Sequence, residues 1–165
     1  MVTIREECEA DVEAIRRVNV AAFAGEGEVE ARLVEALRAS GALVLSLVAE
    51  VDGRIAGHVA FSPVTVGAAT GVGLAPMAVV PELQRTGLGG RMIDEALRRL
   101  AHTHRFCVVL GHPAYYPRFG FVPASTAGLH WEHGHDEAFF VKPLVAGGLD
   151  GVRGIVRYRP ELDAV

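Results

Sequence analysis

The stretch PMAVVPELQRTGLGGRMIDEALRRL, Pro76 to Leu100, joins an apolar run, a proline, a glycine-rich turn and a long amphipathic segment without interruption. Met77 to Val80 belong to a strand expected over about Gly73 to Val80, and Pro81, which cannot donate to a ladder, ends it. From Gly87 onward Leu88, Met92, Ile93, Ala96, Leu97 and Leu100 recur at helical spacing as one buried stripe. The strand therefore delivers the chain to a helix N-terminus. There the first N–H groups lack partners within the helix, the macrodipole is positive, and an anion can approach closely where side chains are absent. Gly87, Gly89 and Gly90 supply that absence, and Arg85 and Arg91 can add charge-assisted contacts. A phosphate-bearing ligand accounts for the whole arrangement; close helix–sheet packing would account for the glycines alone. No G-x-x-x-x-G-K-[ST] occurs, and Met92 stands where G-x-G-x-x-G needs its third glycine, so neither of those phosphate sites fits.

Upstream, TIREE reads as an opening strand, Asp11 as the cap of a helix carrying Ile15, Val18 and Ala22, and Glu28 to Ala39 as a second helix. Val29, Leu33, Val34 and Leu37 are expected on the buried face of that second helix. Asp52-Gly53, between two β-rich runs, predicts a type I′ hairpin. Beyond the glycine-rich junction, strands are expected at Phe106 to Gly111, in EAFFVKPL, and from Gly154 to Arg159. Hairpins dominate this pattern, so an α/β chain of the α+β type is expected, with a mixed, mostly antiparallel sheet flanked by helices.

A chain of 165 residues without an internal repeat or low-complexity linker is read as a single domain over 1–165. Its net charge is −4 and Lys142 is its only lysine, so nucleic acid is not an expected partner. The N-terminus is acidic and no apolar run reaches membrane-span length, so neither export nor insertion is expected. Cys8 and Cys107 are read as buried, reduced thiols of a cytoplasmic protein.

Gln84, Arg85, Thr86, Gly87, Leu88 and Gly89 match the signature Q/R-x-x-G-x-G/A at a strand-to-helix junction. Met77 to Pro81 stand upstream as an apolar residue followed by A-V-x-P, and YPRFGF, Tyr116 to Phe121, matches Y-x-x-x-G-F downstream. In these motifs the chain resembles the GNAT N-acetyltransferases, and LGHPAYYPRFGFVPA resembles the YhbS-type subgroup of predicted N-acetyltransferases. Where many members carry an asparagine after the fifth strand, this chain has Gly111, His112 and Pro113.

The resemblance implies acetyl-CoA as cosubstrate. Its pyrophosphate would lie on Gln84 to Arg91, and its pantetheine arm on the backbone of Met77, Ala78 and Val79 and beside Tyr116. It also implies a splayed strand pair, the Met77 N–H directed at the thioester oxygen, and Tyr116 as proton donor to the leaving thiolate. A primary amine of a small molecule or a peptide terminus would be the acceptor, by direct transfer. An acyl-CoA sensor with weak catalysis is the alternative. Amines of pKa near ~10.4 arrive protonated, so a base is needed, and Glu26, Glu28, His58 and His112 are its candidates. His130, His133 and His135 lack the spacing of a zinc motif, so no metal is expected, and Trp131 with Glu132 would line the acceptor side or cover a sheet edge. By analogy with the family, Phe139, Phe140 and Val156 are expected at a homodimer face.

Overall fold

Leu45 to Ala49 are buried on both sides of their strand, a pattern that requires structure against each face of the sheet. The computed structural model describes residues 1–163. Along the chain lie β1 (Val2–Glu6), α1 (Val12–Ala22), α2 (Gly27–Ala39), β2 (Leu45–Val51), β3 (Arg54–Val66) and β4 (Ala69–Val79). They are followed by α3 (Leu88–Leu100), β5 (Phe106–Leu110), β6 (Val122–Pro123), β7 (Leu129–Trp131), β8 (Phe139–Pro143) and β9 (Gly154–Val156). Seven strands form one sheet in the order β1-β2-β3-β4-β5-β8-β6, while β7 and β9 pair separately in parallel. Within the large sheet only β4 and β5 run parallel.

The helices cover opposite faces. Met92, Ile93, Ala96 and Leu97 of α3 pack on Leu47, Ala49, Val59, Phe61 and Val109. On the other face Ile15 of α1 and Val34 of α2 pack on Val48. Further along that second face, Phe106 and Val108 join Leu129, Phe139, Val141 and Val156.

Several expectations are corrected. β4 begins at Ala69, because the turn is made at Gly67 (φ +57°), and Gly71 and Gly73 lie within the strand. They are there because a Cβ at Gly71 would strike the Phe106 ring and one at Gly73 the Tyr158 ring. Phe139, Phe140 and Val156 are buried in the chain's own core, so they cannot form a dimer face. β9 ends at Val156 and leaves the main sheet, Cys8 is exposed, and Val29 faces solvent because α2 buries Gly27, Ala31, Leu33, Val34 and Leu37. Asp11 sits in a 3-10 turn. Its carboxylate accepts from the Cys8 N–H (2.8 Å) and pairs with Arg5 (2.7 Å), instead of capping α1. The Asp52-Gly53 hairpin has φ of +51° and +82°, as a type I′ turn requires.

His58 of β3 is completely buried. Its Nδ1 accepts from Asn19 Nδ2 (3.2 Å) and its Nε2–H donates to Ser46 Oγ (2.8 Å). Ser46 in turn donates to the Glu7 carboxylate, which Arg38 holds through Nε (2.9 Å) and Nη2 (3.0 Å). Burial pushes the imidazole down to about 4, with Arg38 adding to the shift and Glu7 opposing it. Unfolded His58 takes a proton below about 6.5, whereas the folded ring stays neutral until about 4. Its contribution to stability is therefore complete above pH ~6.5 and is lost as pH falls toward 4. Urea unfolding should show a loss of roughly 2 kcal/mol from this group between about pH 7.5 and about pH 5. His58→Gln should remove most of that difference, and an unchanged pH dependence in the variant would contradict this account.

Candidate active site

β4 pairs with β3 from Ala69 to Val79, with a register shift past Leu74, but it has β5 beside it over only part of that length. Val72 to Leu74 also pair with Cys107 to Val109 of β5, whereas Met77 to Val79 pair with Val59 to Gly57 of β3. Past Leu74 and Val109 the parallel ladder stops and β4 diverges from β5. The Val80 N–H donates to the Ala56 carbonyl (2.9 Å), so alternation turns the backbone groups of Met77 and Val79 toward the opening and those of Ala78 toward β3. The Val79 carbonyl accepts from Gln84 Nε2 (2.9 Å), which ties the following loop to the strand.

That loop turns through Pro81–Leu83, where Thr86 Oγ1 donates back to the Leu83 carbonyl (2.6 Å). Arg85 and Gly87 both have positive φ, +63° and +90°, and Gly87 is the N-cap of α3. Here glycine is required by conformation, since the space beside it is open. Gly89 serves close approach, since a Cβ there would lie 3.3 Å from Met77 Cε and 3.5 Å from the Tyr115 hydroxyl, whereas one on Gly90 would meet Phe119 at an ordinary 3.5 Å. Both explanations of the glycines therefore have a geometric basis. Leu88 is buried, while Arg85, Thr86 and Arg91 are exposed around the bare helix end.

Tyr116, at the start of the 3-10 turn Tyr116–Phe119 that follows β5, enters the opening from the β5 side. Its ring occupies the space a Cβ on Gly111 would need, and it packs edge-on to Tyr115 (5.1 Å) and Phe121 (5.8 Å). Burial pushes its hydroxyl up to about 12. Tyr115 is half-buried at the α3 end, and the Arg118 guanidinium lies 4.6 Å from its ring centroid. Met77, the glycine turn and the two tyrosines are thus brought together.

The basic candidates are dispersed. Both ring nitrogens of His58 are engaged inside the fold, and His112 is exposed, its Nδ1 accepting the Ala114 N–H (3.1 Å). Glu26 is exposed before α2, and Glu28 is paired with Arg16, which also holds Glu35. Glu30, not singled out from the sequence, is half-buried, and burial with the nearby Glu26 raises its carboxyl. It lies three residues before Leu33 on the packed face of α2. The histidines in and after β7 form exposed pairs, His130 with Asp136 (3.1 Å) and His135 with Glu137 (3.4 Å), while His133 bridges Glu132 and Asp163 (3.2 Å each).

One residue near the opening was missed in the sequence, Tyr158, and Gly111 was named there only as a departure from the family. The signal for Tyr158 was the i, i+2 glycine pair Gly71 and Gly73, which marks strand backbone left bare for an aromatic ring.

A strand parting from its parallel neighbour beside a glycine-capped helix defines the cofactor half of an acyltransferase fold, and comparison with known proteins names the family. An acetyltransferase (GNAT) domain model matches residues 43–123. The N-acetyltransferase YhbS of Escherichia coli K12 is 42% identical over 139 residues, which is 81% of this chain and 83% of that protein. YjhQ, another N-acetyltransferase of that strain, is 38% identical over 123 residues, 70% of this chain and 67% of that one. The crystal structure of Escherichia coli YhbS in complex with CoA superposes with a TM-score of 0.93 at 38% identity, covering 98% of this chain and 92% of that one. A Brucella melitensis GNAT acetyltransferase in complex with acetyl-CoA gives 0.82 at 39% identity, covering 99% of each chain. The chain belongs to the GNAT family of N-acetyltransferases.

The seat of the Tyr116 ring is testable through stability. Gly111→Ala should cost about 1–3 kcal/mol by overpacking against that ring. Gly90→Ala meets Phe119 at ordinary contact distance inside a helix and should be neutral or stabilising by up to about 1 kcal/mol. Equal urea midpoints for the two variants would contradict the placement of Tyr116.

Proposed function

We propose that the chain moves the acetyl group of acetyl-CoA directly to a primary amine of a small molecule or peptide terminus. The observation that carries this reading is the opening between β4 and β5, which has the Met77 backbone on one side and Tyr116 on the other. Relatives that superpose over nearly the whole chain are crystallised with CoA and with acetyl-CoA. The bare end of α3 fits an anionic group, since Gly89 and Gly90 leave the first-turn N–H groups uncovered.

In this reading Gly87 to Arg91, with Gln84, Arg85 and Thr86, hold the pyrophosphate, and Met77, Ala78 and Val79 line the pantetheine arm. The Met77 N–H donates to the thioester oxygen as it gains negative charge. The amine nitrogen forms a C–N bond as the C–S bond breaks, and the proton the nitrogen loses ends on the departing sulfur. Burial raises the Tyr116 hydroxyl well above an ordinary thiol, so full proton transfer from it to the thiolate would be uphill. Tyr116 is therefore assigned as a hydrogen-bond donor that stabilises the leaving sulfur. Glu26, Glu28 and Glu30 are the carboxylates at the start of α2 from which the base is drawn, and burial raises the Glu30 carboxyl, which makes it a stronger base than a solvated carboxylate.

Direct transfer is favoured by the state of Cys107, the cysteine of β5. Cys107 is fully buried and burial raises its thiol, which suppresses the thiolate an acyl-enzyme would need.

The test is steady-state thiol release from acetyl-CoA with an amine panel. Sequential kinetics are expected, and Tyr116→Phe should lower kcat about 10–100-fold while the acetyl-CoA affinity stays within about threefold. Ping-pong kinetics would sink direct transfer, and undiminished kcat in Tyr116→Phe would sink the role of its hydroxyl.

A further inference from the structure

On the face of the sheet opposite α3, the parting of β4 and β5 opens into a cavity of about 120 Å³ lined by Leu74, Ala75, Leu110, Trp131, Tyr158 and Leu162. The face follows from alternation along β5: Cys107 and Val109 pack toward α3, so Phe106, Val108 and Leu110 look the other way. Leu74 is the last β4 residue paired with β5, so the cavity meets the opening where the strands part.

Its walls are fixed from several directions. Thr65 and Arg157 exchange backbone hydrogen bonds (2.9 Å each), which lays Tyr158 across Gly73 of β4. Leu162 is anchored against Leu33, Leu37 and Ala42. His133 bridges Glu132 and Asp163, holding the turn that follows Leu162 against the end of β7. Asp163 reaches the cavity rim, so the rim is acidic.

Tyr158 lines the cavity with its ring, while its hydroxyl lies sealed behind that wall, toward the gap between the strands. The hydroxyl is buried and has no hydrogen-bond partner among the described residues, a condition that costs free energy unless a ligand or water satisfies it. The surrounding wall is leucine, alanine and indole, and the volume approaches the roughly 150 Å³ of a leucine-lined cavity that takes up benzene. A single ring or a short branched alkyl group fits. A polyamine would strand charges against apolar walls, and an acceptor carboxylate would meet the acidic rim.

We propose that this cavity is the acceptor pocket, selecting a small amine with a compact apolar body and no carboxylate, whose amino group hydrogen-bonds Tyr158 where the strands part. This rests on the transferase reading above and adds the substrate class. Leu110, Trp131 and Leu162 determine the size of the body, and Tyr158 orients the nitrogen toward the opening.

Trp131 is the only tryptophan, so its emission reports occupancy without any turnover. The full chain is titrated with benzylamine, spermidine and glycine, followed by thiol release from acetyl-CoA with the same amines. A saturable emission change is expected with benzylamine alone, weakened about tenfold or more in Leu110→Phe, which fills the cavity. In turnover, benzylamine should be the preferred acceptor. Tyr158→Phe should lower kcat/KM for benzylamine about tenfold while the acetyl-CoA affinity and thermal midpoint are held. No saturable change, or an equal one in Leu110→Phe, overturns the pocket. Thiol release with spermidine or glycine but not benzylamine also overturns it and leaves the transferase reading standing. Benzylamine binding without release from any amine removes the transferase reading and the acceptor role with it.

Discussion

The candidate site depends on one strand having two different neighbours. β4 is bound antiparallel to β3 from Ala69 to Val79, and in parallel to β5 only over Val72 to Leu74. A strand's N–H and C=O groups point alternately to its two sides, so the loss of β5 leaves one row of groups without a ladder. Such groups demand partners, and Gln84 already meets one of them at the Val79 carbonyl. The same loop then passes through two left-handed residues to set the start of α3 beside the gap. A helix end, a freed strand edge and a buried tyrosine converge because β4 and β5 part company there.

Aromatic rings seated on bare backbone are the second organising device. Phe106 lies on Gly71, Tyr158 on Gly73 and Tyr116 on Gly111, in each case in the volume that a methyl group would take. The two tyrosines thereby approach the gap from opposite faces of the sheet without a long loop to carry them. Side chains locked in this way hold their hydroxyls more narrowly than loop residues would.

Patterns confined to a few neighbouring residues were legible in the sequence. The α3 stripe from Leu88 to Leu100, the Asp52-Gly53 hairpin and the motifs around Gln84 and Tyr116 needed only local spacing, and they were enough to indicate the GNAT family. What escaped depends on contacts between distant segments. The strand was expected to begin only at about Gly73, because nothing local shows the rings of Phe106 and Tyr158 arriving from elsewhere to cover Gly71 and Gly73. Phe139, Phe140 and Val156 read as an interface because apolar alternation does not say whether the covering surface belongs to the same chain. His58 looked available as a base, yet its partners come from α1, β2 and the loop after β1, and only the folded arrangement seals it.

The matched GNAT segment ends at residue 123, whereas Trp131, Tyr158 and Leu162 all lie beyond it. The chain thus separates its two concerns along its own length. The part held in common with its family builds the strand junction and helix end, and the last quarter supplies β8 to the main sheet and, around it, folds back over the opposite face as a lining. Changes in that closing stretch can reshape the cavity as a tailor alters a lining, with the seams of the garment left uncut.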